Sequence, residues 1–143
     1  MSEYTGNAKK IKVVEPRILY VIGSICQPAF ATDFYRRCVE VGEVDSVVIQ
    51  TAMSGAVPTR HPYSLWPFIN ASVKRVPTFM LPDAPHAQMF YPRYDWDSFG
   101  VVPLETAFSA NVGDVIINLG GLLRKNSDKD AIKWEMRNLY KKR

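Results

Sequence analysis

Cysteine is scarce in this chain: 143 residues contain two, Cys26 and Cys38. Two thiols do not make the disulfide framework of a small secreted domain, so packing must hold the fold, and a reducing compartment such as the cytoplasm fits. Nor are they expected to pair. Read on or near one helix, twelve residues apart, they stand about 18 Å from each other at ~1.5 Å rise per residue, well beyond the ~7 Å Cα limit of a disulfide. Histidine is equally rare. His61 and His86 each sit in a proline-rich turn with no Cys, His or Glu cluster beside them, which leaves no zinc pattern. No apolar run approaches the ~18 residues of a membrane span, and Met1 to Lys10 lacks the hydrophobic stretch of a signal peptide. A glycine-rich phosphate loop is missing too: Gly120-Gly121 lies in an apolar helical stretch without the lysine and hydroxyl that a nucleotide requires. These absences predict a chain with no transmembrane segment, no metal and no cofactor.

What remains is ordinary for a globular domain, with 47% hydrophobic, 12% aromatic and 22% charged residues. After a polar N-terminal segment (residues 1–15), in which Ile11 to Val14 is a candidate edge strand, the apolar run Ile18 to Ile22 predicts a central strand. A helix follows, ending near Gly42. Its stripe Phe30, Phe34, Cys38 and Val41 predicts the buried face and makes Cys38 a core thiol. Ser46 to Thr51 reads as a second, parallel strand, which completes a βαβ unit. A proline-rich loop from 55 to 67 leads to a short helical turn at 65 to 70 and a strand from Val76 to Leu81. Gln88 to Tyr91 is its expected antiparallel partner.

Two features suggest interaction surfaces. Residues 92 to 100 interleave Tyr94, Trp96 and Phe99 with Arg93, Asp95 and Asp97, as in a loop that binds something or one whose rings cover the core. Pro103 predicts the start of a helix with the stripe Phe108, Val112, Val115, Ile116, Leu119, Leu122 and Leu123, which Gly120-Gly121 could break. Ser127 then caps a last helix whose apolar residues Ile132, Met136, Leu139 and Tyr140, beside Trp134, must dock on this domain or on another chain. Residues 124 to 143 hold eight Lys and Arg against three acids, ending in Lys141, Lys142 and Arg143. Five net positive charges there, in a chain of net charge +4, predict contact with an acidic protein partner, and leave nucleic acid or an anionic surface open.

The most specific signal is a pair of segments. Ile18-Leu-Tyr-Val-Ile-Gly-Ser-Ile-Cys26-Gln-Pro28-Ala29 puts a cysteine where a strand hands over to a helix, near unpaired backbone N–H groups that favour thiolate. Fifty-one residues after Cys26, Val76-Pro77-Thr78 enters an apolar run, as a fixed cis proline does. Together they resemble the thioredoxin superfamily over residues 16 to 92, with Cys26-Gln27-Pro28-Ala29 at the Cys-Gly-Pro-Cys turn and Val76-Pro77-Thr78 at the cis-proline loop. The resemblance implies a central mixed sheet flanked by helices over 16–124, followed by the basic helix 125–143. It makes Cys26 the catalytic position and Pro77 its substrate-presenting neighbour. Ala29 replaces the resolving cysteine, Ile25 the preceding tryptophan, and residues 23 to 25 offer no anion-binding lysine. Two readings therefore stand. The first is a non-catalytic scaffold among other protein subunits, in the way degenerate thioredoxin-like domains serve larger assemblies, large-DNA-virus particles included. Here Tyr94, Trp96, Ile132, Leu139, Tyr140 and the basic end make the contacts. The second is a monothiol thiol-disulfide oxidoreductase using Cys26.

Overall fold

The computed structural model describes residues 15–52, 55–82, 95–104, 112–126 and 128–140. Four strands, β1 (Ile18–Ile22), β2 (Ser46–Thr51), β3 (Thr78–Pro82) and β4 (Val102–Pro103), form one sheet in the order β1-β2-β3-β4. Every pairing is parallel. Helices α1 (Ala29–Glu40), α2 (Trp66–Arg75), α3 (Val112–Lys125) and α4 (Lys129–Leu139) flank it, and a single 3-10 turn covers Trp96–Phe99.

Strand alternation sorts the side chains into two cores. Val21, Val47, Ile49 and Met80 point to the side of α1 and α2, where they meet Val39, Phe68 and Ile69. Val48, Phe79, Leu81 and Val102 point the other way, against Val115, Leu119 and Leu123 of α3 and Ile132 and Met136 of α4. β2 and β3 are buried almost throughout, as strands covered on both faces should be. Gly23 lets the chain leave β1 close to its neighbours: a Cβ there would lie 3.0 Å from Ile49 Cγ2 and from Leu65 Cδ1.

Several expectations are met. The α/β class, β1, β2 and the stripe of α3 stand where the pattern places them. Others need correction. Among the described residues β1 stands at one end of the sheet and all four strands are parallel; the strands that would make β1 central and the sheet mixed are not among them. The expected antiparallel strand 88–91 and the candidate edge strand 11–14 lie outside the described residues. Pro103 does not open a helix; it ends β4 opposite Met80, a place where a short terminal strand tolerates its missing N–H. Gly120-Gly121 does not break α3, which runs continuously to Lys125. The short turn expected at 65–70 extends to Arg75 as a full helix. Asp128 caps α4 by accepting from the Asp130 amide, 3.1 Å. Ser127 lies outside the described residues.

The largest reversal concerns α1. Its expected buried stripe faces outward: Phe30 is 76% exposed, Phe34 55% and Val41 67%, and Cys38 is half-buried. The helix instead buries Thr32 and Val39 and sets the Tyr35 ring 5.7 Å from that of Phe68. The inward face is thus made by the smaller or flatter side chains at 32, 35 and 39, and the helix makes its closest approach to α2.

Candidate functional site

Ligands of open parallel sheets bind outside the carboxyl ends of the strands, and Cys26 stands at that end, four residues past β1. The turn that carries it is tied down. Gln27 Nε2 donates to the Ile22 carbonyl at 2.8 Å, and Tyr35 Oη donates to Gln27 Oε1 at 2.6 Å. Pro28 is the N-cap of α1 and contributes no side-chain cap. Cys26 is an exposed free thiol. It borders a cavity of about 370 Å³ walled by Val57, Pro58, Arg60 and Tyr63. Across the same loop a groove of about 420 Å³ runs between α1 and α2, edged by Thr32, Asp33, Arg36, His61 and Phe68. The loop is braced by Leu65 N to the Pro58 carbonyl (3.0 Å) and by Trp96 Nε1 to the Gly55 carbonyl (3.2 Å).

The charges of the groove are already engaged. Arg36 bonds Asp33 at short range and reaches Glu40 at 3.3 Å, while Arg37 stands 3.4 Å from Asp33. The Arg36 hydrogen bond holds the Asp33 carboxyl below its usual range. Among the described residues no three His, Cys, Asp or Glu side chains gather to hold a metal ion, and no helix is long and apolar enough to cross a membrane.

Pro77 does not join Cys26. Because the strands are parallel, Cys26 follows the carboxyl end of β1, whereas Pro77 precedes the amino end of β3, with β2 between them. Nor is Pro77 cis: the cis peptide among the described residues is His61–Pro62. Val76 is extended, with φ −137° and ψ 158°, and the Pro77 carbonyl accepts from Val47 N (3.0 Å) and Ser46 Oγ (2.7 Å). The chain thus passes straight into β3, and Pro77 serves the sheet.

The expected contact residues are mostly interior. Trp96 is 1% exposed, with its ring 5.6 Å from that of Trp66. Ile132 and Tyr140 belong to the second core, where Tyr140 Oη accepts from Asn118 Nδ2 at 2.8 Å. A surface role for them requires α4 to be an appendage; it packs instead on α3 and the sheet. Leu139 alone of that stripe is exposed, as is the adjoining Trp134. Of the basic residues, Lys129 Nζ donates to the Val73 carbonyl (3.0 Å) and Arg137 pairs with Asp97. Tyr94, Lys141, Lys142 and Arg143 lie outside the described residues. What sequence reasoning misses is the outward row Phe30, Phe34 and Val41. A second spacing in the same helix, Thr32, Tyr35 and Val39, is the available signal that another face packs inward.

No protein-family model matches the chain, and no curated protein is similar to it in sequence. Its fold is similar to part of the thermostable L-asparaginase from Thermococcus kodakarensis, with a TM-score of 0.63 and 18% identity over 90% of this chain. The match spans 38% of that asparaginase. A likeness at that identity shows a shared α/β fold.

Proposed function

We propose that this chain is a non-catalytic α/β interaction module of a larger assembly, with the outward face of α1 as its contact surface. The observation that carries the reading is the row of large apolar side chains there, Phe30, Phe34 and Val41, exposed by more than half. Ile22 and Ile25, also exposed, come from the end of β1 and the turn just before that helix. Apolar rows of this kind mark contact sites on soluble domains. Two further facts support it. The catalytic pair implied by the thioredoxin resemblance, Cys26 and Pro77, stands at opposite ends of the sheet, which favours use of the domain as a scaffold. The matching part makes up 38% of a longer asparaginase chain, so the fold is one that also stands within a larger protein. That parent activity is not carried over. The thioredoxin-like relationship, and the setting it implies in a large-DNA-virus particle, belong to this proposal as expectations of the resemblance.

A photo-crosslinking residue at position 34 tests the reading, with the exposed Lys74 position as control. Crosslinks from position 34 and none from position 74, unchanged by Cys26→Ala, are expected; no crosslink from position 34 overturns it.

One observation favours a second reading, monothiol exchange: Cys26 is exposed on a cavity that also presents Arg60. The rate of Cys26 alkylation against pH, measured in Cys38→Ala, decides it. An apparent pKa well below the ~8.5 of a free thiol supports the enzyme; slow labelling up to high pH removes it.

A further inference from the structure

Resting on the reading of α1 as the contact surface, we infer that the partner seated on it is a second copy of this chain, α1 against α1 about a two-fold axis. Four outward side chains, Phe30, Phe34 and Arg37 of α1 and Val41 at its end, are spaced four, three and four residues apart, the spacing of a two-helix seam. Phe30, Phe34 and Val41 are more than half exposed, and the Arg37 side chain is 65% exposed. The row is self-complementary when read from either end, as an isologous contact demands. With the axis crossing the helix between Tyr35 and Arg36, Phe30 of one copy faces Val41 of the other, and Phe34 faces Arg37.

Charge follows the same axis. Asp33 lies one position from direct opposition to Arg37 of the second copy, so the pair that stands 3.4 Å apart within one helix exchanges partners across the contact. The Arg37 guanidinium then lies against the Phe34 ring, where a cation is attracted to the ring face. Glu40 faces Ala31 of the other copy, and Arg36 bridges it to Asp33 within its own helix, so no carboxylate meets another uncompensated. The row is short compared with the ~800 Å² per partner of a standard interface, so the dimer is weak and concentration-dependent.

Sedimentation of the full chain over a wide concentration series tests this, with far-UV circular dichroism to confirm folding. Wild type is expected to pass from monomer to dimer, and Phe34→Asp to stay monomeric with an unchanged spectrum. Asp33→Arg alone and Arg37→Asp alone each weaken the dimer about tenfold, and an equimolar mixture of the two single variants restores it, because there the pairs across the contact are rebuilt while those within each helix stay broken. A wild type that remains monomeric, or a dimer that survives Phe34→Asp, overturns the inference. Crosslinking from position 34 separates the two levels of argument. A product of twice the chain mass supports the second copy; a product with a different chain overturns it while the contact surface stands; no product overturns both.

Discussion

Helices α1 and α4 are both amphipathic, yet they exchange the roles that their sequences suggest. α4 carries Ile132 and Met136 inward, with Tyr140 just beyond it, to a core shared with α3 and the sheet, while α1 turns Phe30 and Phe34, and Val41 at its end, to the outside. An apolar stripe therefore says that a helix has a face to cover. It does not say what covers it. On α4 the cover is intramolecular, because the link from α3 is short and α3 and the sheet offer Leu119, Leu123, Phe79 and Leu81 as one apolar surface for it to close. On α1 the sheet is already closed by a different, smaller set of side chains, Thr32, Tyr35 and Val39.

A charge placed on each helix puts this contrast to its most severe trial. Ile132→Asp sets an unpaired carboxylate among Leu119, Leu123 and Met136 and is expected to cost about 3 kcal/mol or more, enough to unfold a marginal domain. Urea denaturation followed by circular dichroism measures it; a cost below about 1 kcal/mol would mean α4 is not part of the core. Removing the cap that starts α4 is a milder perturbation. Asp128→Ala frees the Asp130 amide and is expected to cost about 1 kcal/mol in the same assay.

Tyr140, which follows α4, extends the contrast to pH. Burial raises its phenol pKa above the usual value near 10, against the lowering effect of its bond with Asn118. A raised folded pKa means the folded state keeps the proton longer than the unfolded chain does. Its contribution is therefore complete below the unfolded pKa and is lost as pH rises through the folded one. Stability should fall on the alkaline side of about pH 10, and less steeply in Tyr140→Phe; equal slopes for the two proteins would place the phenol in water.

The strands are legible in the sequence because their chemistry is local: Ile18 to Ile22 and Ser46 to Thr51 are short apolar runs rich in β-branched residues, bounded by turn residues. The core stripe of α3 is legible for the same reason. Strand direction is not, since nothing in Val76-Pro77-Thr78 says that the strand it enters runs parallel to β1 and β2, and that direction separates Cys26 from Pro77. Trp96 has the look of a binding residue in sequence because its partners, Trp66 and the Gly55 carbonyl, lie thirty and forty-one residues away in the chain. The cavity beside Cys26 is hidden likewise, its Arg60 and Tyr63 coming from the next crossover.

The smallest expected effect is the one that decides between the two helices. Phe34→Asp should change the stability of the isolated domain by no more than about 0.5 kcal/mol, the range for surface substitutions. The phenylalanine loses little burial because it has little: its neighbour in the helix, Tyr35, makes the inward contact with Phe68. The carboxylate introduced at position 34 would stand beside Asp33, but Arg36 and Arg37 are within the same turn to offset it. Denaturation at low protein concentration, where any association is absent, isolates this intrinsic effect. A loss near that of Ile132→Asp would show that α1 packs by its phenylalanines after all, and the outward face would then be core rather than contact surface.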